Sequence, residues 1–279
     1  MYFESLKNIG YFTKQSVESF GLPRTGKDLH LTRRRKSFYT IFDKPPRIPY
    51  SLSINDDIME SFALDLKDLS NSLPQFTIFR FNLDPHTKLL YPLIEMGLKV
   101  NLRYTQVIDL NCSLDNLWKN LDTKRRSEIK LAGTSLQIIE SKDIDILENL
   151  HVSTLSNKGL SSTAAKTWFH IDRDIVSNNG CKLLYVINER EEILSGGLFI
   201  YDDRDAYYLL GGTSELGKRS SASSFLLWKA IEFFSQLGVS RFDFEGSENI
   251  GVSKFFEQFG SIATPYWKCE MRKFVNFVR

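Results

Sequence analysis

Two stretches of the chain repeat each other at one fixed distance, and nothing else in it constrains the fold as strongly. Ser61-Phe62-Ala63-Leu64 matches Ser224-Phe225-Leu226-Leu227, Phe79 and Phe81 match Phe242 and Phe244, and Gly97 matches Gly260, each pair 163 residues apart. A gap-free offset of this length reads as an internal duplication, with helix, strand, helix and strand in each copy. The second copy holds the most informative passage. Phe242-Asp243-Phe244-Glu245-Gly246-Ser247 reads as a strand and a tight turn, and Lys254-Phe255-Phe256-Glu257-Gln258-Phe259-Gly260 as a short amphipathic helix stopped by glycine. Side chains alternate along a strand, so Phe242 and Phe244 face a core while Arg241, Asp243 and Glu245 face away from it. Two acids at the carboxyl end of a strand, beside a Gly-Ser turn, stand where α/β architectures place chemistry.

The 279 residues suffice for one large domain or two ordinary ones. Lys and Arg number 36 against 34 Asp and Glu, so the formal charge is only +2, and no global field seeks nucleic acid; DNA is not an expected partner. The charge is uneven, with basic clusters at Arg33-Arg34-Arg35-Lys36 and Lys124-Arg125-Arg126. Cys112, Cys181 and Cys269 lack metal-ligand spacing, as do His30, His86, His151 and His170, so no metal is expected. No apolar run approaches the roughly 18 residues of a membrane span. Met1 to Gly10 is too polar for a secretory signal, and a cytoplasmic location is expected, with peripheral membrane contact left open.

Residues 1–35 give no clear pattern. The spacing predicts strands at Phe38–Phe42, Phe76–Leu83 and Tyr104–Leu110, and helices over 56–70 and Thr87–Met96. Asn111–Ala132 is expected as one helix, capped by Ser113 and striped with Leu114, Leu117, Trp118 and Leu121. From Ser135 the expected order is strand, two helices, three strands, helix, strand, helix, strand, closing with Tyr266–Phe274. A meander flanked by helices is an α+β layered architecture.

That order resembles the GNAT acyltransferase fold, and more narrowly the FemAB-type branch, in which two such domains stand in tandem. Three passages carry the likeness: Lys124-Arg125-Arg126-Ser127-Glu128-Ile129 with the strand after it, Gly196-Gly197 to Gly212, and Phe242 to Gly260. The resemblance implies tandem GNAT-like domains, each a mixed, mostly antiparallel sheet flanked by helices. Residues 1–35 would form an extension, 36–133 a degenerate first domain with a connecting helix, and 134–279 the active second domain. FemAB-type enzymes usually carry lysine after the first aromatic of the last helix; here Phe256 stands there, and Lys254 lies two residues earlier.

GNAT enzymes hold the coenzyme A diphosphate at the start of the long helix after the paired strands. That implies a donor site at Gly217-Lys218-Arg219-Ser220-Ser221-Ala222, where free N–H groups and the helix dipole favour an anion. The other copy has Asn55-Asp56-Asp57-Ile58 opposite Lys218 to Ser221, so a donor site belongs to the second copy only. The acids are also unique to that copy, because Asp243 and Glu245 stand opposite Arg80 and Asn82. Amine acylation needs a base for the ammonium proton, and Glu245 is the leading candidate. Asp243 is a second catalytic candidate or a strand ion-pair partner. Tyr207 and Tyr208 alternate, so one faces a cleft; Tyr208 is the candidate acid for a leaving thiolate.

Lys124, Arg125 and Arg126 are candidates to bind the phosphates of a nucleotide- or lipid-linked acceptor, with Ser247, Lys254 and Tyr266 completing the substrate site. The expected function is an acyl- or aminoacyltransferase acting on an amine of a cell-envelope or polysaccharide precursor. Acyl-CoA is favoured as donor by the anion turn and by Phe256, aminoacyl-tRNA by the tandem architecture, which makes tRNA a candidate partner. The alternative is a noncatalytic GNAT-like scaffold or ligand-binding protein.

Overall fold

The computed structural model describes residues 17–36, 39–44, 50–73, 77–157, 159, 161–166, 169–177, 181–245 and 249–273. The chain divides into two compact units, a larger one of residues 105–263 and a smaller one of residues 17–104 with 264–273. The expected boundary at 133/134 falls inside the larger unit.

The smaller unit begins with β1 (Val17–Leu22), β2 (Lys27–Lys36) and β3 (Tyr39–Asp43), and continues through α1 (Met59–Ser72), β4 (Thr77–Leu83) and α2 (Tyr91–Glu95). β5 (Lys99–Asp109) leads into the larger unit. There follow α3 (Leu114–Asn120), α4 (Thr123–Ala132), β6 (Leu136–Glu140), α5 (Ile144–Asn157), α6 (Thr163–Lys166) and α7 (Phe169–Val176). Then come β7 (Cys181–Asn188), β8 (Ile193–Tyr201), β9 (Asp205–Thr213), α8 (Glu215–Arg219), α9 (Ala222–Gln236), β10 (Arg241–Asp243) and α10 (Ile250–Glu257). The last strand, β11 (Ile262–Lys273), returns to the smaller unit.

In the smaller unit the strand order is β1-β2-β3-β4-β11. β4 runs parallel to β3 and antiparallel to β11. In the larger unit the order is β5-β10-β9-β8-β7-β6, and β10 runs parallel to β9 and antiparallel to β5. The duplicated elements coincide at the offset of 163: α1 and α9 start together, as do β5 and β11, and Gly97 and Gly260 both have positive φ, 83° and 77°. The closing strands are exchanged. β5 follows the first copy in sequence but pairs with β10, and β11 follows the second but pairs with β4. Even the register is reciprocal, with Phe79 opposite Met271 and Phe242 opposite Ile108.

Apolar spacing explains the cores. Met59, Phe62, Ala63 and Leu66 of α1 are buried against Phe79, Phe81 and Leu83. The equivalent Phe225 belongs to the buried cluster that also holds Phe242, Phe244 and Phe256, and Phe244 stacks on Phe256 with ring centroids 4.4 Å apart. Lys273 of β11 ends α1 by donating to the carbonyls of Ser70, Asn71 and Leu73, at 2.9, 3.3 and 2.9 Å.

Several expectations need correction. Residues 17–36 form a hairpin, whose turn at Gly26 (φ 64°) is pinned because buried Asp65 accepts from the N–H groups of Arg24 and Thr25. The single helix over 111–132 is two helices. Ser113 caps α3 as expected, but Leu121 is extended and Asp122 takes the N–H groups of Lys124 and Arg125 to start α4. The helix expected over 87–96 shrinks to Tyr91–Glu95, because Asp56 accepts the N–H groups of Lys88 and Leu89 at 2.9 and 2.7 Å and holds that stretch extended. Phe38, Pro45, Pro46 and Pro49 lie outside the described residues.

Candidate active site

The site of interest starts with strands of unequal length. β10 pairs with β9 only at Arg241–Asp205, Phe242–Ala206 and Asp243–Tyr207, yet β9 runs on to Thr213. Beyond Tyr207 the two strands no longer pair. β9 is expected to stop at Gly211-Gly212 but passes through both glycines, held by β8 on its other side. The β8–β9 register slips between Leu198 and Phe199, where Leu209 is the extra residue.

The direction of the backbone groups along that free edge follows from the register. Ser214 donates its N–H to the Leu194 carbonyl at 2.9 Å. Stepping back by two, Gly212 and Leu210 bond toward β8, while Thr213 and Gly211 turn their polar groups to the vacated side. On the β10 side, the Arg204 carbonyl accepts from Ser240 and Arg241, so Ala206 and Tyr208 also face that way. The edge therefore presents the Tyr208 carbonyl and the Gly211 N–H.

Asp243 is what ends β10. It is fully buried; Thr105 donates its hydroxyl to it at 2.5 Å, and the Glu245 N–H donates to the same oxygen at 2.8 Å. Glu245 is left half-buried just past the strand with a φ of 54°, so it does not continue the alternation expected of it. Gln106 fixes the neighbouring helix. Its backbone carbonyl accepts from Phe244, and its amide bonds Ser253 and Glu257 of α10 and Ser261. Arg241 binds Asp205 at 2.8 Å and reaches the Tyr207 hydroxyl at 3.4 Å.

The expected anion turn at Gly217–Ala222 is a short helix and a sharp joint. Ser214 caps α8 through the Gly217 N–H, and Ser221 carries a φ of 56° before α9 begins at Ala222. Gly217 is required here, since a Cβ would lie 2.2 Å from the Leu194 carbonyl oxygen. Among the described residues no side chain caps α9; the Ser224 N–H goes to the Ser221 carbonyl at 3.0 Å, and those of Ala222 and Ser223 stand at the helix start where an acceptor can take them. Lys218 and Arg219 are exposed; Lys218 is paired with Glu215.

The other expected residues scatter. The Tyr208 ring lies flat on Phe199, and its hydroxyl stands over Gly211; burial raises its pKa, so it stays protonated. Of the basic cluster, Lys124 is exposed and Arg126 binds the Lys119 carbonyl at 2.7 Å and the Thr123 hydroxyl at 3.1 Å. Arg125 is turned inward. It bonds Glu128, Ser224 and Gln258 and sits 4.7 Å from the Phe255 ring centroid, tying α4 to α9 and α10. Burial lowers its pKa, against the pull of Glu128 and Asp122. Lys254 is exposed on α10, and Tyr266 packs on Tyr50 in the smaller unit. Ser247 lies outside the described residues. A depression of about 410 Å³ between α3, α4 and α9, floored by Trp118 and Trp228, holds none of these residues.

By the same offset the counterparts of Tyr208 to Gly211 are residues 45–48, which lie outside the described residues. β3 pairs with β4 through Phe42–Phe79, and the chain then returns so that Ser51 donates to the Asn82 carbonyl at 2.9 Å and Asp84 to the Leu52 carbonyl at 3.3 Å. Asn82, the counterpart of Glu245, gives its N–H to the Ser51 hydroxyl at 3.1 Å.

Two residues on α5 that the sequence reading passed over complete the edge of β9. The His151 ring meets the Gly211 carbonyl at 2.8 Å, and the Thr154 hydroxyl lies 3.1 Å from the Thr213 nitrogen and 3.3 Å from its carbonyl oxygen. Helical spacing of three residues and the bare Gly196 and Gly212 behind it were the available signals.

The acetyltransferase (GNAT) domain family matches residues 119–255. Among solved structures, FemX aligns with a TM-score of 0.68 at 13% identity, over 95% of this chain and 90% of that one. The C-terminal domain of a putative lysylphosphatidylglycerol synthetase from Agrobacterium fabrum aligns with a TM-score of 0.63 at 12% identity, over 97% and 92%. L-PGS from Bacillus licheniformis gives 0.56 at 11% identity, over 98% and 93%. No curated protein sequence matches the chain. Identities this low speak for the fold alone. The chain has the tandem GNAT fold, and its residues 119–255 resemble the acetyltransferase (GNAT) domain family.

Proposed function

We propose that the larger unit transfers an acyl or aminoacyl group to an amine of a cell-envelope or polysaccharide precursor, with acyl-CoA as the donor. The observation that carries the reading is the edge of β9 beyond Tyr207, which presents a carbonyl and an N–H with no strand beside them among the described residues. An extended chain of amides, as in the pantetheine arm, is complementary to such an edge. The uncapped start of α9, with Arg219 next to it, suits the diphosphate of the same donor. In the smaller unit Ser51 and Leu52 bond to the end of β4, the counterpart of β10, and acids stand in place of the anion joint, so the donor is assigned to the larger unit alone.

In this reading Glu245 removes the proton from the acceptor ammonium, directly or through one water. The amine then attacks the thioester carbonyl, the C–N bond forms, the C–S bond breaks, and the thiolate takes a proton. The names of the FemX and lysylphosphatidylglycerol synthetase relatives keep aminoacyl-tRNA in view as donor. Calorimetric titration with acetyl-CoA, a long-chain acyl-CoA and an aminoacyl-tRNA tests the choice. Saturable one-site binding of an acyl-CoA supports the proposal; binding of the tRNA alone replaces the donor, and binding of none returns the chain to a noncatalytic scaffold.

A further inference from the structure

We infer that His151 is a positioning residue for the donor edge of β9; the inference builds on the acyl-donor reading. A carbonyl oxygen only accepts, so the short contact from Nδ1 to the Gly211 carbonyl requires a hydrogen on Nδ1. One turn along α5, the Thr154 hydroxyl accepts the Thr213 N–H at 3.1 Å while its single hydrogen goes to the Leu150 carbonyl at 2.8 Å, with the Thr213 carbonyl farther away at 3.3 Å. Among the described residues these two side chains hold the Gly211 carbonyl and the Thr213 N–H, and leave the Gly211 N–H facing outward.

The helix comes this close only because the strands lack side chains there. A Cβ on Gly212 would lie 2.6 Å from the His151 backbone nitrogen, and a Cβ on Gly196 would lie 2.5 Å from the Tyr185 ring. Tyr185 in turn holds α5 from below, donating its hydroxyl to the Asp143 carbonyl at 2.5 Å and accepting the Leu147 N–H at 3.1 Å. α5 is thus fastened at its start and clamped at its middle. Two adjacent glycines in β9 would otherwise leave the peptide planes around Gly211 free to turn, since glycine populates both signs of φ. His151 removes that freedom on one side of the residue whose N–H faces the donor. An amide of the donor therefore meets a donor group of fixed direction, and strand-like pairing of the donor stops at Gly211 because the Thr213 N–H is already taken by Thr154.

The test compares the wild type with His151→Ala and His151→Asn, whose amide nitrogen can stand where Nδ1 does. The first readout needs no donor: hydrogen exchange at the Gly211 amide, expected to quicken in His151→Ala and to return toward wild type in His151→Asn. The second is donor affinity and the split between donor KM and kcat. Losing one hydrogen bond's worth of preorganisation raises the donor KM of His151→Ala roughly three- to tenfold with kcat less affected, and His151→Asn recovers most of it. Unchanged exchange at Gly211 in His151→Ala, or an equal loss in both variants with a fallen Tm, overturns the inference. If the wild type binds no acyl-CoA while Gly211 exchange still depends on His151, the donor reading fails and the positioning role stands.

Discussion

The carboxylate of Asp243 takes the backbone N–H of Glu245 at 2.8 Å, and in doing so it opens the site. With Asp243 opposite Tyr207 in a parallel pairing, the next ladder bond would run from the Glu245 N–H to the Tyr208 carbonyl. The Asp243 side chain diverts that N–H, the strand ends, and the Tyr208 carbonyl is left to face an incoming group. Asp243 is therefore the residue that shapes the edge.

Replacing Asp243 with Ala leaves the Thr105 hydroxyl and the Glu245 N–H without their acceptor in a fully buried place. The expected loss of stability is about 1–3 kcal/mol, measured by urea unfolding. Asp243→Ala that unfolds like the wild type would show that the turn holds itself.

Glu245 carries a strained backbone and is the base of the proposed reaction. Glu245→Gln keeps the shape, so turnover should drop by about a hundred- to ten-thousand-fold with little change in Tm. Glu245→Gly relieves the positive φ and should gain up to about 1 kcal/mol while losing the same activity. A variant that keeps its activity and loses stability would make Glu245 a structural turn residue.

Arg125 separates the reading of a basic cluster from the observed packing. Its guanidinium bridges Glu128, Ser224 and Gln258 and lies on Phe255, which lysine cannot copy. Both Arg125→Ala and Arg125→Lys should lose about 1.5–3 kcal/mol, and the acceptor KM should not follow. A rise in acceptor KM without loss of stability would restore the phosphate-binding role.

The thiols give a pH signature. Burial pushes Cys181 up to about 11 and Cys269 to about 12, whereas Cys112 is exposed. A thiol pKa raised by folding contributes stability that is complete below the unfolded value near 8.5 and is lost as pH rises through the folded one. Stability should fall between about pH 9 and 12, and Cys181→Ser/Cys269→Ser should flatten that limb. In the native protein an aromatic disulfide reagent should modify one thiol quickly; three fast thiols would mean that the cores around Cys181 and Cys269 open readily.

Much of the fold was legible because it repeats. The 163-residue offset, Phe79 with Phe81 against Phe242 with Phe244, and the two positive-φ glycines all survive into three dimensions. The exchange of β5 and β11 was not legible, since both strands carry the same pattern and pair in reciprocal registers. Glu245 was placed correctly in the chain but wrongly on the strand, because period-two alternation says nothing of a side chain that captures the backbone two residues on. The basic run was misread for a related reason: charge in sequence does not reveal that Arg125 points inward among Phe255, Ser224 and Gln258. For His151 the sequence offered only its helical spacing to Thr154 and the bare Gly196 and Gly212, and the register of β9 is what gives them meaning.

The proposed donor binds at one place, the open edge of β9 in the larger unit, and a crystal structure with coenzyme A bound decides it. The pantetheine arm is expected beside Tyr208 to Gly211 and the diphosphate at Gly217 to Ala222, with Ser51 and Leu52 still bonded to β4. Coenzyme A lodged against β4 in the smaller unit, or held with its arm away from β9, would contradict it.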